Sequence, residues 1–207
     1  AVARLPERVR AVHDRLQPLQ PVEPPGAVVP HLRGADGALR HLGFGGDRRH
    51  PHQGAPLGGW RKRGDYAQAI GRSRGGRTTK IHALTDEAGR PCVLLLTPGN
   101  VNDGTMAAAL LAAAGGSIRR LIADRAYDAN ALRHLLAEAD AEAVIPSTRS
   151  RRAPIPYDRD AYRHRNRIER MFCRIKDFRR VATRYDKLAR NYAAAIHIAA
   201  IVAFWLN

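Results

Sequence analysis

Apolar and polar positions follow two different grammars along this chain. From about residue 67 they recur with the periods of regular structure, and before residue 62 they do not. Residues 78–85 and 91–97 read as two strands joined by a turn at Asp86-Glu-Ala-Gly89, and the unbroken apolar run of the second predicts a buried strand. A loop from Pro98 ends at Asp103, a candidate helix cap. Residues 105–114, rich in Ala and Leu, predict a helix that stops at Gly115-Gly116. Residues 119–127 read as a buried strand whose end presents Asp124, and residues 129–139 as an amphipathic helix with Leu132, Leu135 and Leu136 inward. A short strand at 143–146 and a cationic loop at 147–156 follow. Residues 162–176 contain neither proline nor glycine and predict a long helix. The order hairpin, helix, strand, helix, strand, long helix belongs to a mixed α/β sheet covered by helices.

Residues 1 to about 62 contrast with this. Eight prolines fall there, at 6, 18, 21, 24, 25, 30, 51 and 56, with many glycines, which leaves little room for a long helix or a central strand. The segment is expected to lack a stable fold of its own. The domain reading is therefore a Pro/Gly/Arg-rich segment at 1–62 and a folded unit at 63–207.

Charge narrows the function. A net charge of +16 and a pI near 11.1 point to a polyanionic partner. Nucleic acid is favoured over a membrane, because no long uncharged apolar span stands out. Residues 188–206 are nearly all apolar but carry Arg190 and His197, so they read as a packing helix. Cys92 and Cys173 form neither a disulfide framework nor a CxxC metal site, which suits a reducing cytosol. The first residues lack the apolar core of a signal peptide.

The most informative stretch is Tyr162-Arg-His-Arg-Asn-Arg-Ile-Glu-Arg-Met-Phe-Cys-Arg-Ile-Lys176. At about 100° per residue, Tyr162, Arg165, Glu169, Phe172 and Lys176 fall within roughly 80° of one another. One carboxylate thus shares a helix face with three groups able to contact phosphate. The pattern Tyr-x2-Arg-x3-Glu-x6-Lys resembles the signature helix of insertion-sequence DDE transposases, in particular the insertion-sequence-five group. Ile70-Gly-Arg-Ser-Arg-Gly-Gly-Arg-Thr-Thr-Lys-Ile-His82, Leu121-Ile-Ala-Asp-Arg-Ala-Tyr127 and the stretch from Ala182-Thr-Arg-Tyr-Asp186 to Phe204-Trp-Leu206 resemble the same family. The resemblance covers about residues 63–207.

It implies a ribonuclease-H-like fold, a mixed sheet flanked by helices, and a DNA transposase that cuts and joins strands by metal-assisted phosphodiester chemistry. It also implies three carboxylates and two divalent ions, Mg²⁺ or Mn²⁺. Hard ions of this kind take carboxylate oxygens, and a pair about 4 Å apart stabilises attacking and leaving oxygens in line. Asp124 and Glu169 are the expected catalytic and metal-binding residues. Tyr162, Arg165 and Lys176 would hold phosphates, while Arg72, Arg74, Arg77, Arg149, Arg151 and Arg152 would add affinity without sequence preference. The implied partner is double-stranded DNA, bound by a homo-oligomer in the bacterial cytoplasm on the nucleoid. Asp103 matches a loop motif of the family and is read as structural. The alternative is a basic DNA-binding remnant, or a related nuclease that cuts without joining.

The first implied carboxylate belongs on the opening strand of the sheet, where this chain has Gly46-Asp-Arg-Arg-His-Pro-His-Gln-Gly-Ala-Pro56. Read one nucleotide later, its degenerate codons permit Val-Ile-Asp-Ala-Ile-His-Ile-Lys-Ala-His-Arg, which resembles that strand. The same shift applied to 10–22 permits Pro-Tyr-Thr-Thr-Val-Tyr-Asn-Arg-Phe-Asn-Arg-Trp, which resembles the family's upstream helical DNA-binding region. Residues 1 to about 62 are therefore read as out of frame. Asp47 is left unassigned, the first strand is expected to be lacking, and the chain is expected to fold poorly when expressed alone. A sharp cooperative thermal transition would contradict the last point.

Overall fold

The computed structural model describes the backbone of residues 41–47 and the full residues 68–73, 76–115 and 117–206. Among the described residues six strands form the sheet: β1 His41–Asp47, β2 Gly71–Ser73, β3 Gly76–Thr85, β4 Pro91–Pro98, β5 Arg120–Ala123 and β6 Glu142–Val144. Their order is β4-β3-β1-β5-β6, with β2 folded back on the start of β3. β3 runs antiparallel to both β4 and β1, whereas β1, β5 and β6 run parallel. This mixed sheet flanked by helices is the ribonuclease-H-like arrangement.

Helices cover both faces because β3 and β4 carry apolar residues at successive positions, and successive side chains leave a strand on opposite sides. Leu84, Val93 and Leu95 pack with α1 (Ala107–Ala114) and α2 (Asn130–Glu138) through Leu110, Leu132 and Leu136. Ile81, Ala83 and Leu94 pack on the other face with α4 (Asn166–Lys176), α5 (Arg179–Ala182) and α6 (Ala189–Phe204), through Ile168, Met171, Ile175, Val181, Tyr192 and Ile196. α1 ends at Gly115, whose φ of 63° is a left-handed cap that glycine adopts without a Cβ clash. α6 is a packing helix as expected, and among the described residues no helix is long and apolar enough to cross a membrane.

Two expectations need correction. The first strand is present: β1 occupies the centre of the sheet, pairing Phe44 with Leu84 on one side and with Ala123 on the other. Ladder bonds come from the backbone, and Gly43, Gly45 and Gly46 suit a strand approached closely by two neighbours. The predicted long helix is also divided. It comprises α3 (Arg159–Tyr162), a 3-10 turn Arg163–Arg165 and α4, all right-handed, so its residues keep nearly the expected angular order. α3 starts earlier than expected because Asp158 caps it, its carboxylate accepting from the amides of Asp160 and Ala161 at 2.9 Å each. The rest of the proline-rich segment lies outside the described residues.

Candidate active site

The parallel strands β1, β5 and β6 end at the same side of the sheet, and the antiparallel β3 begins there. Four sequence features therefore converge on one rim: Asp47 at the end of β1, Asp124 just past β5, the loop after β6, and the β2–β3 hairpin. The crevice at the carboxyl ends of parallel strands is where open α/β sheets bind ligands.

Asp124 is half-buried, and its carboxylate accepts from the Ala126 amide at 2.8 Å, capping the short turn Arg125–Tyr127. Glu169 stands in the first turn of α4 with 56% of its side chain exposed, and Arg165 donates to its Oε1 at 2.7 Å. Tyr162 lies beside the Arg165–Glu169 pair. The Arg165 guanidinium lies 5.8 Å from its ring centre, and the ring meets Tyr157 edge to face at 5.4 Å. Burial raises the pKa of the Tyr162 phenol, Arg165 opposes the rise, and the negative field of Asp124 adds to it. Arg165 thus joins Tyr162 and Glu169 in one cluster, and the field of Asp124 reaches the Tyr162 phenol. Lys176 closes α4, half-buried and two turns beyond Glu169, about 10 Å along the axis.

The six further arginines divide. Arg72 and Arg77 are exposed and face one another across the β2–β3 hairpin in register, while Arg74 lies outside the described residues. Arg149 and Arg152 are exposed in the loop after β6. Arg151 is not free: its Nε and one terminal nitrogen each lie 2.9 Å from the two oxygens of Asp128, whose side chain is fully buried.

Three supports hold these turns and loops, and of their residues only Asp103 is read as structural from the sequence. Asp128 is one. Another is the buried pair Lys80–Asp103, 2.9 Å apart, in which Lys80 also donates to the Val101 carbonyl. This pair fixes the 3-10 turn Asp103–Met106, and a Cβ on Gly104 would stand 2.9 Å from the carbonyl oxygen of Ala126. The turn that carries Asp124 is thereby backed by another turn. The third is Arg184, fully buried, which donates to the carbonyls of Gln68 and Asp186 and to Thr79 and stacks 4.9 Å over Tyr192. Burial lowers its pKa to about 10, with Tyr192 and Asp186 opposing the shift. It ties the chain just before the basic hairpin to the C-terminal helices. Nothing in the local sequence separates Arg184 from a solvated arginine; the signal was a charged residue inside a family-like stretch.

Asp124 and Glu169 offer the oxygen donors that a hard divalent cation takes, and Glu169 keeps one oxygen beyond its Arg165 bond. Among the described residues no three His, Cys, Asp or Glu side chains gather as a ligand set. The donor chemistry of Asp124 and Glu169 fits such an ion.

The family model described as the transposase DDE domain matches residues 47–205. The chain belongs to that family and is a DNA transposase of the insertion-sequence type. It is 36% identical over 133 residues to the protein ascribed as transposase of insertion sequence element IS6501 of Brucella ovis, covering 63% of this chain and 99% of that relative. It is 28% identical over 137 residues to the protein ascribed as transposase of element IS402 of Burkholderia cepacia, covering 61% of this chain and 63% of that one. Domains of this family work on DNA and generally use divalent metal ions.

Proposed function

We propose that the rim built by Asp124, Glu169, Tyr162 and Arg165 is the centre at which this transposase cuts and joins DNA strands. The reading rests on the place of Asp124 just past the end of β5, on the Arg165–Glu169 pair beside Tyr162, and on the exposed arginines of the β2–β3 hairpin and the loop after β6. Asp124 and Glu169 would hold the metal. When bound, two Mg²⁺ or Mn²⁺ ions supply charge stabilisation for the attacking and leaving oxygens of an in-line displacement. Tyr162, Arg165 and Lys176 hold the scissile and neighbouring phosphates. Arg72, Arg74, Arg77, Arg149 and Arg152 neutralise phosphates along the duplex. The catalytic unit is residues 63–207 completed by β1, acting on the nucleoid in the cytoplasm. Handling two element ends calls for a homo-oligomer.

The test is nicking of supercoiled plasmid by the purified chain with Mg²⁺. Nicking by wild type that is lost in Asp124→Asn and in Glu169→Gln, with plasmid retention unchanged, is the expected result. Equal nicking in both variants would overturn the assignment. A second reading is a DNA-binding remnant without catalysis, which would use the same exposed arginines and need no metal. It predicts retention without nicking in wild type. Sequencing the DNA that encodes residues 1–66 tests the frame reading: third bases that complete Ile-Asp and Tyr-Asn-Arg-Phe in the shifted frame make this a disrupted transposase or one made whole by frameshifting.

A further inference from the structure

The loop at 147–156 carries three arginines within four residues, and its conformation is set by the one that points inward. Arg151 donates to both oxygens of Asp128, and its remaining terminal nitrogen donates to Asn130 Oδ1 at 2.8 Å. Asp128 also accepts from the Thr148 amide at 2.7 Å and from Arg133 Nε at 2.8 Å. Arg133 in turn donates to the Ile145 carbonyl at 2.8 Å, and the Ile155 amide donates to Ser147 Oγ at 2.8 Å, so the loop is pinned at both ends.

Both oxygens of Asp128 are thus satisfied by two donors each. That is the condition under which a buried carboxylate is tolerated, and a bidentate guanidinium gives the pairing a fixed direction. Burial alone would raise the Asp128 pKa, but the bonds from Arg151, Thr148 and Arg133 hold it well below the usual carboxylate range. Asp128 also ends the turn Arg125–Tyr127 that begins at Asp124. One rigid turn therefore carries a candidate metal ligand at its start and the anchor of the cationic loop at its end.

We propose that Arg151 is a positioning residue and not a phosphate contact: with Asp128 it latches the loop so that Arg149 and Arg152 stand at the rim beside Asp124 and meet DNA there. The proposal rests on the reading of the rim as a DNA site. Left unlatched, a loop this cationic repels itself and spreads over many conformations, each phosphate contact then requiring it to be ordered.

Two opposed signs test it. Asp128→Asn removes a negative charge from a basic protein, so charge alone predicts tighter DNA binding. The latch predicts weaker binding, because the isosteric amide cannot hold the guanidinium in the same way. The experiment measures affinity of the full-length chain and its variants for a random-sequence duplex over a range of salt. The expected result is that Asp128→Asn and Arg151→Ala weaken binding alike. Both should flatten the log affinity against log salt slope by about 1.8, the loss of two phosphate contacts at about 0.9 each. The double variant should add nothing further, and Arg151→Lys should not restore binding. A slope change near 0.9 confined to Arg151→Ala, with Asp128→Asn neutral or tighter, would overturn it.

Hydrogen exchange on the wild-type chain without DNA gives a readout that needs no variant to fold. The Thr148 amide should exchange far more slowly than those of Arg149 and Arg152, and equal rates would also overturn the latch. A wild-type chain that holds no DNA overturns the presentation role together with the reading beneath it. Wild-type binding with an unweakened Asp128→Asn overturns the latch alone.

Discussion

The two candidate carboxylates are held in opposite ways. Asp124 sits in a turn gripped from several sides: its own cap to Ala126, Gly104 against the Ala126 carbonyl, and Asp128 clamped at the far end. Glu169 sits on an exposed helix face, touched at 2.7 Å by Arg165 one turn before it, and its place comes from the opposite side of α4, where Ile168, Met171, Phe172 and Ile175 dock on the sheet. The first is placed by short-range polar contacts and the second by hydrophobic packing at a distance. Perturbing each support should therefore fail differently.

The largest effect is expected at Asp124. Asparagine there can still accept from the Ala126 amide, so the cap survives while the charge is lost. Nicking should fall about a thousandfold or more, on the scale seen when a residue at a reacting centre is removed. Thermal stability should stay near wild type, and an equal loss of both would show that the residue matters for folding instead. For Glu169 the sharper probe is its support. Ile175 is fully buried, and Ile175→Ala should cost about 2–5 kcal/mol in urea unfolding. At temperatures where the variant remains folded, nicking should fall because α4 has loosened, while Asp128 keeps Thr148 protected from exchange.

The same contrast governs what could be read from the sequence. α4 was legible because a hydrophobic stripe repeats locally, and β3 and β4 because an apolar run bounded by turns is itself a local pattern. Asp124 was legible only as a strand end within a family-like stretch. Asp128, Lys80 and Arg184 were not, since each works through a residue distant in the chain: Arg151 at 23 positions, Asp103 at the head of another turn, Gln68 at 116. Arg151 shows the cost of this. It was expected at phosphates beside Arg149 and Arg152, and composition cannot tell an inward arginine from its neighbours. β1 failed in the other direction, because its glycines argue against a strand by propensity while a central position between two backbones accepts them.

A third way to separate the supports is pH. His82 is fully buried on β3, its Nε2 2.7 Å from Thr97 Oγ1, two residues along the strand from Lys80. Burial lowers its pKa to about 4, with Asp103 opposing the shift and Lys80 adding to it. The depressed group is neutral in the fold, so its contribution is whole above the unfolded value near 6.5. It is lost as pH falls from there through about 4. The unfolding free energy should drop by about 3 kcal/mol across that window. A His82→Gln variant, uncharged throughout, should lose this dependence, and an unchanged profile would move its origin elsewhere. The Asp128 clamp should outlast it, because a carboxylate with a depressed pKa holds its bonds until the pH is well below 4.

The smallest expected change in stability is at Arg165, and it divides the two roles of one side chain. Its bond to Glu169 spans one helical turn at a solvent-facing site, where such pairs contribute about 0.3–0.5 kcal/mol and are screened by salt. Arg165→Gln should therefore leave the urea midpoint almost unmoved. If Arg165 also holds a phosphate beside Tyr162, the slope of log affinity against log salt should nonetheless flatten by about 0.9. Its loss also frees Glu169 Oε1, so the Mg²⁺ needed for half-maximal nicking should fall, since the carboxylate no longer has to exchange a guanidinium for the cation. A flattened slope with an unchanged Mg²⁺ requirement would make Arg165 a phosphate contact alone. A lower requirement with an unchanged slope would make it a gate on Glu169.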